Sequence, residues 1–356
     1  MFLFFKKRRY DVIFYYPQHF NRSKEGKNDL FEPYYNACIN NNLSYIIFEE
    51  PYPDAKRNQA AIPFDFVFFI IILVRKLFCD KNIIQKDRRI GVLLSYTIFR
   101  NIKFNNFIVL SKSMISVFSA INPLAKIFDV QHGIIYPKKL DYFYKGSVSK
   151  QLIANNVYLL IFGNRFKEIL IEQDATDFMK SNSYVVGFDN VSSANHVSFN
   201  KHVLITLQFT HDHKQEENTR LLEELYDFIK SAKRDIIFHL KNHPRFNNDV
   251  DLSNIIKLDN VYFAPEDLND CFKICSLHAT AYSTSVFEAS LLGIPSILIN
   301  SSRVNIFQKD FAYPLEYNIN DFSNNDLYKE SSVTVKAWAS KYYSPFNSIK
   351  FISLLK

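Results

Sequence analysis

The chain has 356 residues, 47% of them hydrophobic, which is enough for two domains of ordinary size, each with its own core, and too apolar for a disordered chain. The formal net charge of +7 is mild for this length and is no nucleic-acid signature. The 7 glycines, against about 25 at ordinary usage, are spaced too widely for a Walker A loop or a dinucleotide fingerprint, so any phosphate binding here works without a glycine cradle.

At the start, Phe2, Leu3, Phe4 and Phe5 precede Lys6, Lys7, Arg8 and Arg9. An apolar tip followed by cations makes Phe2–Arg9 a candidate contact with the inner face of a membrane. The alternative is a solvated end before the first strand. The apolar run is much shorter than a signal-peptide core, so no signal peptide is expected. Asp11–Tyr16 reads as a buried strand, Leu30–Asn40 as a helix, and Ser44–Phe48 as a strand running into Glu49 and Glu50. Phe64–Phe78 reads as a buried helix, being too short to span a membrane. Asn106–Leu110 is a strand, Ser113–Ala120 a short helix, and Ile127–Val130 and Leu159–Phe162 are strands, with a helix from Arg165.

The Asn- and Ser-rich stretch Val186–Phe199 reads as a linker. A second alternating series follows. His202–Leu207, Asp235–Leu240, Val261–Phe263, Ser276–Ala281 and Ser296–Ile299 read as strands, with helices at Glu217–Ser231 and Ser285–Leu292. Gly293 is placed for a left-handed cap, and Pro295 stops the helix. Short apolar runs alternating with helices imply α/β domains with parallel sheets covered on both faces. The expected division is 1–190, 191–330 and a helical segment 331–356 that packs back toward the first domain. Cys38, Cys79, Cys271 and Cys275 fit neither a zinc site nor a disulfide framework, which favours a reducing, cytoplasmic setting.

Open α/β sheets bind ligands beyond the carboxyl ends of their strands. The Asp235–Leu240 strand runs into Lys241, Asn242, His243, Pro244 and Arg245, where an imidazole and cations could stabilise a departing phosphate; a solvated basic loop is the competing reading. Ser283, Thr284 and Ser285 bring hydroxyls to a helix start, an anion site by geometry. Ser285 with Glu288 also reads as an S-x-x-E capping box. Gln131-His132-Gly133 follows the Ile127–Val130 strand. A neutral His132 could take a proton from a hydroxyl, and Gly133 would allow a sharp turn or close ligand approach. Gln18, His19 and Arg22 leave the first strand, and Glu49 or Glu50 could serve as base, at most one of them facing a ligand. Asp249-Val250-Asp251 reads as solvated surface and His211-Asp212-His213 as a structural loop, so no metal is expected.

Lys-x-His-Pro at 241–244, then Ser-Thr-x-x-x-Glu-Ala at 283–289 and Gly-x-Pro at 293–295, resembles bacterial GT-B glycosyltransferases of surface-polysaccharide synthesis. The pattern is similar to polysialyltransferases, Kdo transferases and teichoic-acid glycerophosphotransferases. The resemblance covers mainly residues 200–300. It implies two Rossmann-like, doubly wound domains facing across a cleft. His243, Pro244 and Arg245 with Ser283, Thr284 and Ser285 would hold the donor phosphate, and Glu288 would meet the ribose. His132-Gly133 resembles an acceptor-domain motif whose histidine is a base candidate. Domain 1–190 would bind the acceptor through Gln18, His19, Arg22, Gln131 and Gly133, and domain 191–330 would bind the donor. Catalytic candidates are His132, His243, Glu49 and Glu50. The expected activity is transfer of a sugar from a nucleotide-activated donor, with CMP favoured, to a growing glycan or lipid-linked glycan. No cofactor, metal or nucleic acid is expected. Rival readings are a CDP-glycerol or CDP-ribitol phosphotransferase, a UDP-sugar 2-epimerase, and a non-catalytic scaffold of a polysaccharide assembly complex.

Overall fold

The structure is a computed structural model and describes residues 7–21, 26–53, 55–78, 82–189, 198–243, 246–247, 249–299 and 305–356. The chain divides into two compact units, residues 1–189 with 344–356, and residues 190–343.

In the first unit, β1 (Arg8–Pro17), α1 (Glu32–Asn40), β2 (Tyr45–Glu50), α2 (Asp65–Leu77), α3 (Ile83–Tyr96), β3 (Ile102–Leu110), α4 (Ile115–Ile121) and β4 (Lys126–Val130) follow in order. A short hairpin of β5 (Phe143–Tyr144) and β6 (Ser147–Val148) comes next, then α5 (Lys150–Ala154), β7 (Tyr158–Ile161), α6 (Asn164–Glu172), α7 (Phe178–Asn182) and β8 (Ser183–Val185). The sheet order is β2-β1-β3-β4-β7-β8, all parallel. Order reverses between β1 and β3, and the central strand β1 is fully buried from Val12 to Tyr16. Much of the phenylalanine is spent on one cluster: Phe107 stacks on Phe118 at 4.1 Å, and Phe64 packs on Tyr15, Phe48 and Phe99. Such pairs contribute about 0.5–1.5 kcal/mol beyond area burial.

The second unit holds β9 (His202–Thr206), α8 (Gln215–Ser231), β10 (Ile237–Lys241), α9 (Ser253–Ile256), β11 (Val261–Phe263), α10 (Leu268–Ile274), β12 (Leu277–Thr280), α11 (Ser285–Leu291), β13 (Ser296–Leu298), α12 (Asn305–Phe311) and α13 (Asn325–Tyr342). Its parallel sheet runs β11-β10-β9-β12-β13, so order reverses between β9 and β12. Gly293 takes the left-handed cap position after α11, with φ +74°.

The stretch 331–356 is not one segment. Trp338 stacks on Phe287 at 4.8 Å and donates to the Phe311 carbonyl, which keeps α13 in the second unit. Only α14 (Ser348–Leu355) belongs to the first, where Phe351 packs on Tyr34 of α1. The chain re-enters that unit over Gly187, where φ is +87° and a Cβ would lie 2.1 Å from the Pro345 carbonyl. The helix read as buried, α2, is buried on one side only, at Val67 and Ile71; Phe66, Phe69, Leu73 and Leu77 face outward. In the expected linker, residues 190–197 lie outside the described residues. Among the described residues no helix is long and apolar enough to cross a membrane.

Candidate functional site

In the second sheet the exits of β9, β10 and β12 share one edge. The loops after β9 and β10 are joined by Leu207 N–H to Lys241 O, Asn247 N–H to Phe209 O and a bridge between Thr210 and Phe246. The loops after β9 and β12 are joined by the Tyr282 hydroxyl, which lies 2.5 Å from His213 Nε2. His243 is half-buried just past β10, two strand spacings or ~10 Å across the sheet from the β12 exit. Pro244 and Arg245 lie outside the described residues.

Beneath the serine loop is a buried polar cluster. His278, fully buried within β12, has Nδ1 2.8 Å from Ser296 Oγ. Its Nε2 faces Thr206 Oγ1 at 2.9 Å and Ser285 Oγ at 3.1 Å. Burial pushes the His278 pKa down to about 3, so the ring is neutral. Ser285 Oγ also donates to Ser283 Oγ at 2.7 Å. Two expectations change here. Ser285 is the first helical residue rather than an N-cap, and the N-cap Thr284 makes no side-chain cap, so the capping box is absent. The buried Ser285 hydroxyl turns inward, which leaves half-buried Ser283 and exposed Thr284 to face a ligand. Glu288 is exposed one turn along α11. The runs 211–213 and 249–251 have local duties: His213 bonds Asn218 and Tyr282, and Asp251 accepts from the Ser253 N–H. Among the described residues no group of three His, Cys, Asp or Glu could hold a metal ion.

The corresponding edge of the first sheet sorts its candidates differently. Glu49 is 1% exposed and accepts from Tyr16 Oη at 2.9 Å, Gln18 Nε2 at 3.2 Å, Asn21 Nδ2 at 2.8 Å and Asn58 N at 3.1 Å. With its lone pairs engaged, Glu49 is a brace and not a base. Gln18 is buried too, its Oε1 accepting from Tyr52 N. Gln131 is fully buried and ties the turn to β7, accepting from Phe162 N at 2.8 Å and donating to Gly133 O at 2.7 Å. Both amides are occupied within the fold, Gln131 by the Phe162 N–H and the Gly133 carbonyl and Gln18 by Glu49 and the Tyr52 N–H. His19 remains exposed, its ring against Phe20 and Tyr52. Arg22 lies outside the described residues.

His132 is half-buried against Phe20, at 5.6 Å between ring centroids. Its Nδ1 is enclosed without a hydrogen-bond partner. Burial, then Lys139, pushes its pKa down to about 4, against weaker opposition from Asp141 and the Val130 carbonyl. At Gly133 a Cβ would meet only Lys139 Nζ, at 3.8 Å. The turn therefore does not need glycine for space. Glu50, half-buried, accepts from Ser113 Oγ at 2.6 Å. It borders a cavity of ≈ 500 Å³ with Arg75, Lys112 and Gln151.

Sequence reasoning missed the loop after β3. Ser111, Lys112 and Met114 all have positive φ, an arrangement that costs about 1–3 kcal/mol per residue and clusters at functional sites. Buried Asp129 holds this loop through Lys112 N at 3.1 Å, and desolvation raises the Asp129 pKa to about 7. The missed residues His278 and Asp129 share one signal, a polar residue inside a short apolar strand.

No family model and no curated sequence matches the chain. Solved structures do. UDP-GlcNAc 2-epimerase from Neisseria meningitidis, bound to UDP-GlcNAc, matches at TM-score 0.51 and 10% identity, over 98% of each chain. The Methanocaldococcus jannaschii UDP-GlcNAc 2-epimerase matches at 0.54 and 12%, over 98% of this chain and 99% of its own. A variant of the wall teichoic acid polymerase TagF matches at 0.55 and 12%, over 97% and 88%. In fold, then, the chain is a GT-B-like α/β protein built from two Rossmann-like domains.

Proposed function

We propose that this protein is a metal-independent glycosyltransferase that moves a sugar from a nucleotide-activated donor, CMP-linked by preference, to a growing cell-surface glycan. The observation that carries this reading is the second sheet's edge, where the serine loop meets the switch point between β9 and β12 and is tied through the β9 loop to the loop bearing His243. Ligands bind at such switch points in open α/β sheets. The donor phosphate is assigned to His243, Pro244, Arg245, Ser283 and Thr284, and the ribose to Glu288. Ser285 holds Ser283 in place.

In the proposed reaction the acceptor hydroxyl oxygen bonds to the anomeric carbon while the bond from that carbon to the phosphate oxygen breaks. The leaving phosphate takes the electron pair and is stabilised by His243 and the loop hydroxyls. The acceptor proton passes to neutral His132 at Nε2, since Nδ1 is the enclosed nitrogen. The first unit holds the acceptor, a glycan or lipid-linked glycan, beside His19, Arg22 and Gly133. The enzyme works at the cytoplasmic face of the membrane, with Phe2–Arg9 as one contact; of these, Lys7, Arg8 and Arg9 are described and exposed.

A thermal-shift panel of CMP, CDP, UDP and GDP tests the donor, because binding raises apparent stability by mass action. A response to CMP with sugar transfer supports the reading. No response to any nucleotide removes it and favours a scaffold. His243→Ala should lower kcat about 100-fold or more with the fold intact. Activity lost to EDTA and restored by Mg²⁺ or Mn²⁺ would overturn metal independence. Two neighbours are UDP-GlcNAc 2-epimerases, so a second reading is UDP-sugar 2-epimerisation. It is identified by conversion of the nucleotide sugar with no acceptor present. A third reading, CDP-glycerol or CDP-ribitol phosphotransfer, rests on the teichoic-acid-type motif pattern and is read out by donor screening.

A further inference from the structure

The first unit carries an apolar face that its own fold leaves uncovered. On α2, Phe66, Phe69, Leu73 and Leu77 fall at three- and four-residue steps along one side and are between 60 and 72% exposed. The helix is 13 residues long, about 20 Å. The α3 helix packs beside it and adds Ile83, Val92, Leu93 and Tyr96, the last 76% exposed. Exposed apolar side chains gathered on two helices that pack together mark a binding surface.

Among the described residues, the exposed charge on the two helices and the turn after them has one sign. Lys76, Arg89 and Arg100 are exposed on α2, α3 and the turn after it. The carboxylates of the two helices are committed elsewhere. Asp87 is buried and takes Arg75 in a two-point contact at 2.7 and 2.9 Å, which staples α2 to α3. Asp65 is paired with Arg57 at 2.6 Å. Among the described residues, neither helix has an exposed acid.

We propose that the outer face of α2 and α3 seats in the surface of an anionic lipid bilayer. Phe66, Phe69, Leu73 and Leu77 would enter the acyl boundary, with Lys76, Arg89 and Arg100 at the phosphate level and the Tyr96 ring between the two. A second copy of this chain fits less well, because a twofold interface opposes identical patches and brings like cations together. The surface shares no residue with Phe2–Arg9, and the inference does not depend on the donor reading.

The test is flotation of the full chain with phosphatidylcholine vesicles, with and without about one third phosphatidylglycerol, in parallel with size-exclusion light scattering. The wild-type chain is expected on the anionic vesicles, with added salt weakening binding. The triple variant Phe66→Ser, Phe69→Ser, Leu73→Ser, which keeps Phe2–Arg9, should lose about tenfold or more of that binding with its circular dichroism unchanged. The pair Lys76→Gln, Arg89→Gln should cost about fivefold per cation, on anionic vesicles only. Undiminished binding by the triple variant would assign the contact to the N-terminal segment and overturn the proposal. So would a wild-type chain that binds neither vesicle, or a wild-type dimer that the triple variant converts to a monomer. The nucleotide thermal shift of the triple variant reads the donor site separately.

Discussion

Two histidines, His278 fully buried inside β12 of the second sheet and His132 half-buried beyond β4 of the first, differ in their partners as well as in their burial. Both are held neutral, His278 near a pKa of about 3 and His132 near about 4. His278 has hydroxyls at both ring nitrogens and lies within a strand. His132 lies two residues past the end of β4, with an enclosed Nδ1 that makes no hydrogen bond. A low pKa alone would rank them alike. The partners separate a ring that organises a loop from a ring with one enclosed nitrogen unsatisfied, and each unsatisfied buried group calls for an explanation.

The sharpest way to break that comparison is His132→Gln. As the base, His132 should take kcat down by about 10²–10⁴-fold while the melting temperature moves little; a preserved rate per folded molecule would remove it from the chemistry. His278→Leu should act the other way round. It strands the Ser296 hydroxyl, at about 1–3 kcal/mol for a group left unpaired, and takes one partner each from Thr206 and Ser285, which keep each other. Urea unfolding should show the loss, and an unchanged midpoint would mean that the cluster is not stabilising.

Ser283→Ala should raise donor KM about 10- to 100-fold, the effect of one lost hydrogen bond to a charged group. A changed kcat at constant KM would argue against phosphate binding by this loop.

Acid unfolding sharpens the comparison from another side. Both folded histidines resist protonation, while the unfolded rings titrate near ~6.5. The unfolded state therefore binds more protons, and stability falls as pH drops from ~6.5 toward 4 and 3. His132→Gln and His278→Gln should each flatten that slope. Asp129 has the opposite sign. Its folded carboxyl keeps a proton up to about 7, whereas the unfolded one ionises near ~3.9. Asp129→Asn should therefore raise stability by an amount that grows from pH 4 to pH 7. A constant gain would mean that the carboxyl ionises freely in the fold.

Much of the edge geometry was legible in the sequence, because strands announce themselves by short apolar runs and ligand loops follow their carboxyl ends. The loops bearing His132, His243 and Ser283 were placed on that basis, as was the left-handed cap at Gly293. The destinations of individual polar side chains were not legible. Glu49 and Gln18 look available in a one-dimensional reading, yet each is claimed by residues far away in the chain. The outward side of α2 was hidden for a related reason: a helix with apolar residues almost all round reads as buried, and only its neighbours decide which side is covered.

What the amino-acid sequence determined by itself is the alternation of strands and helices and the positions where loops leave the sheets. Those follow from local periodicity and from turn residues that act within a few positions. Tertiary structure alone decided that Ser285 turns inward to His278, that Gln131 braces β7, and that α2 keeps a bare apolar side. Those outcomes depend on which groups meet across strand pairings and helix contacts. A buried polar atom takes the partner that the fold brings to it, and sequence spacing does not encode that meeting.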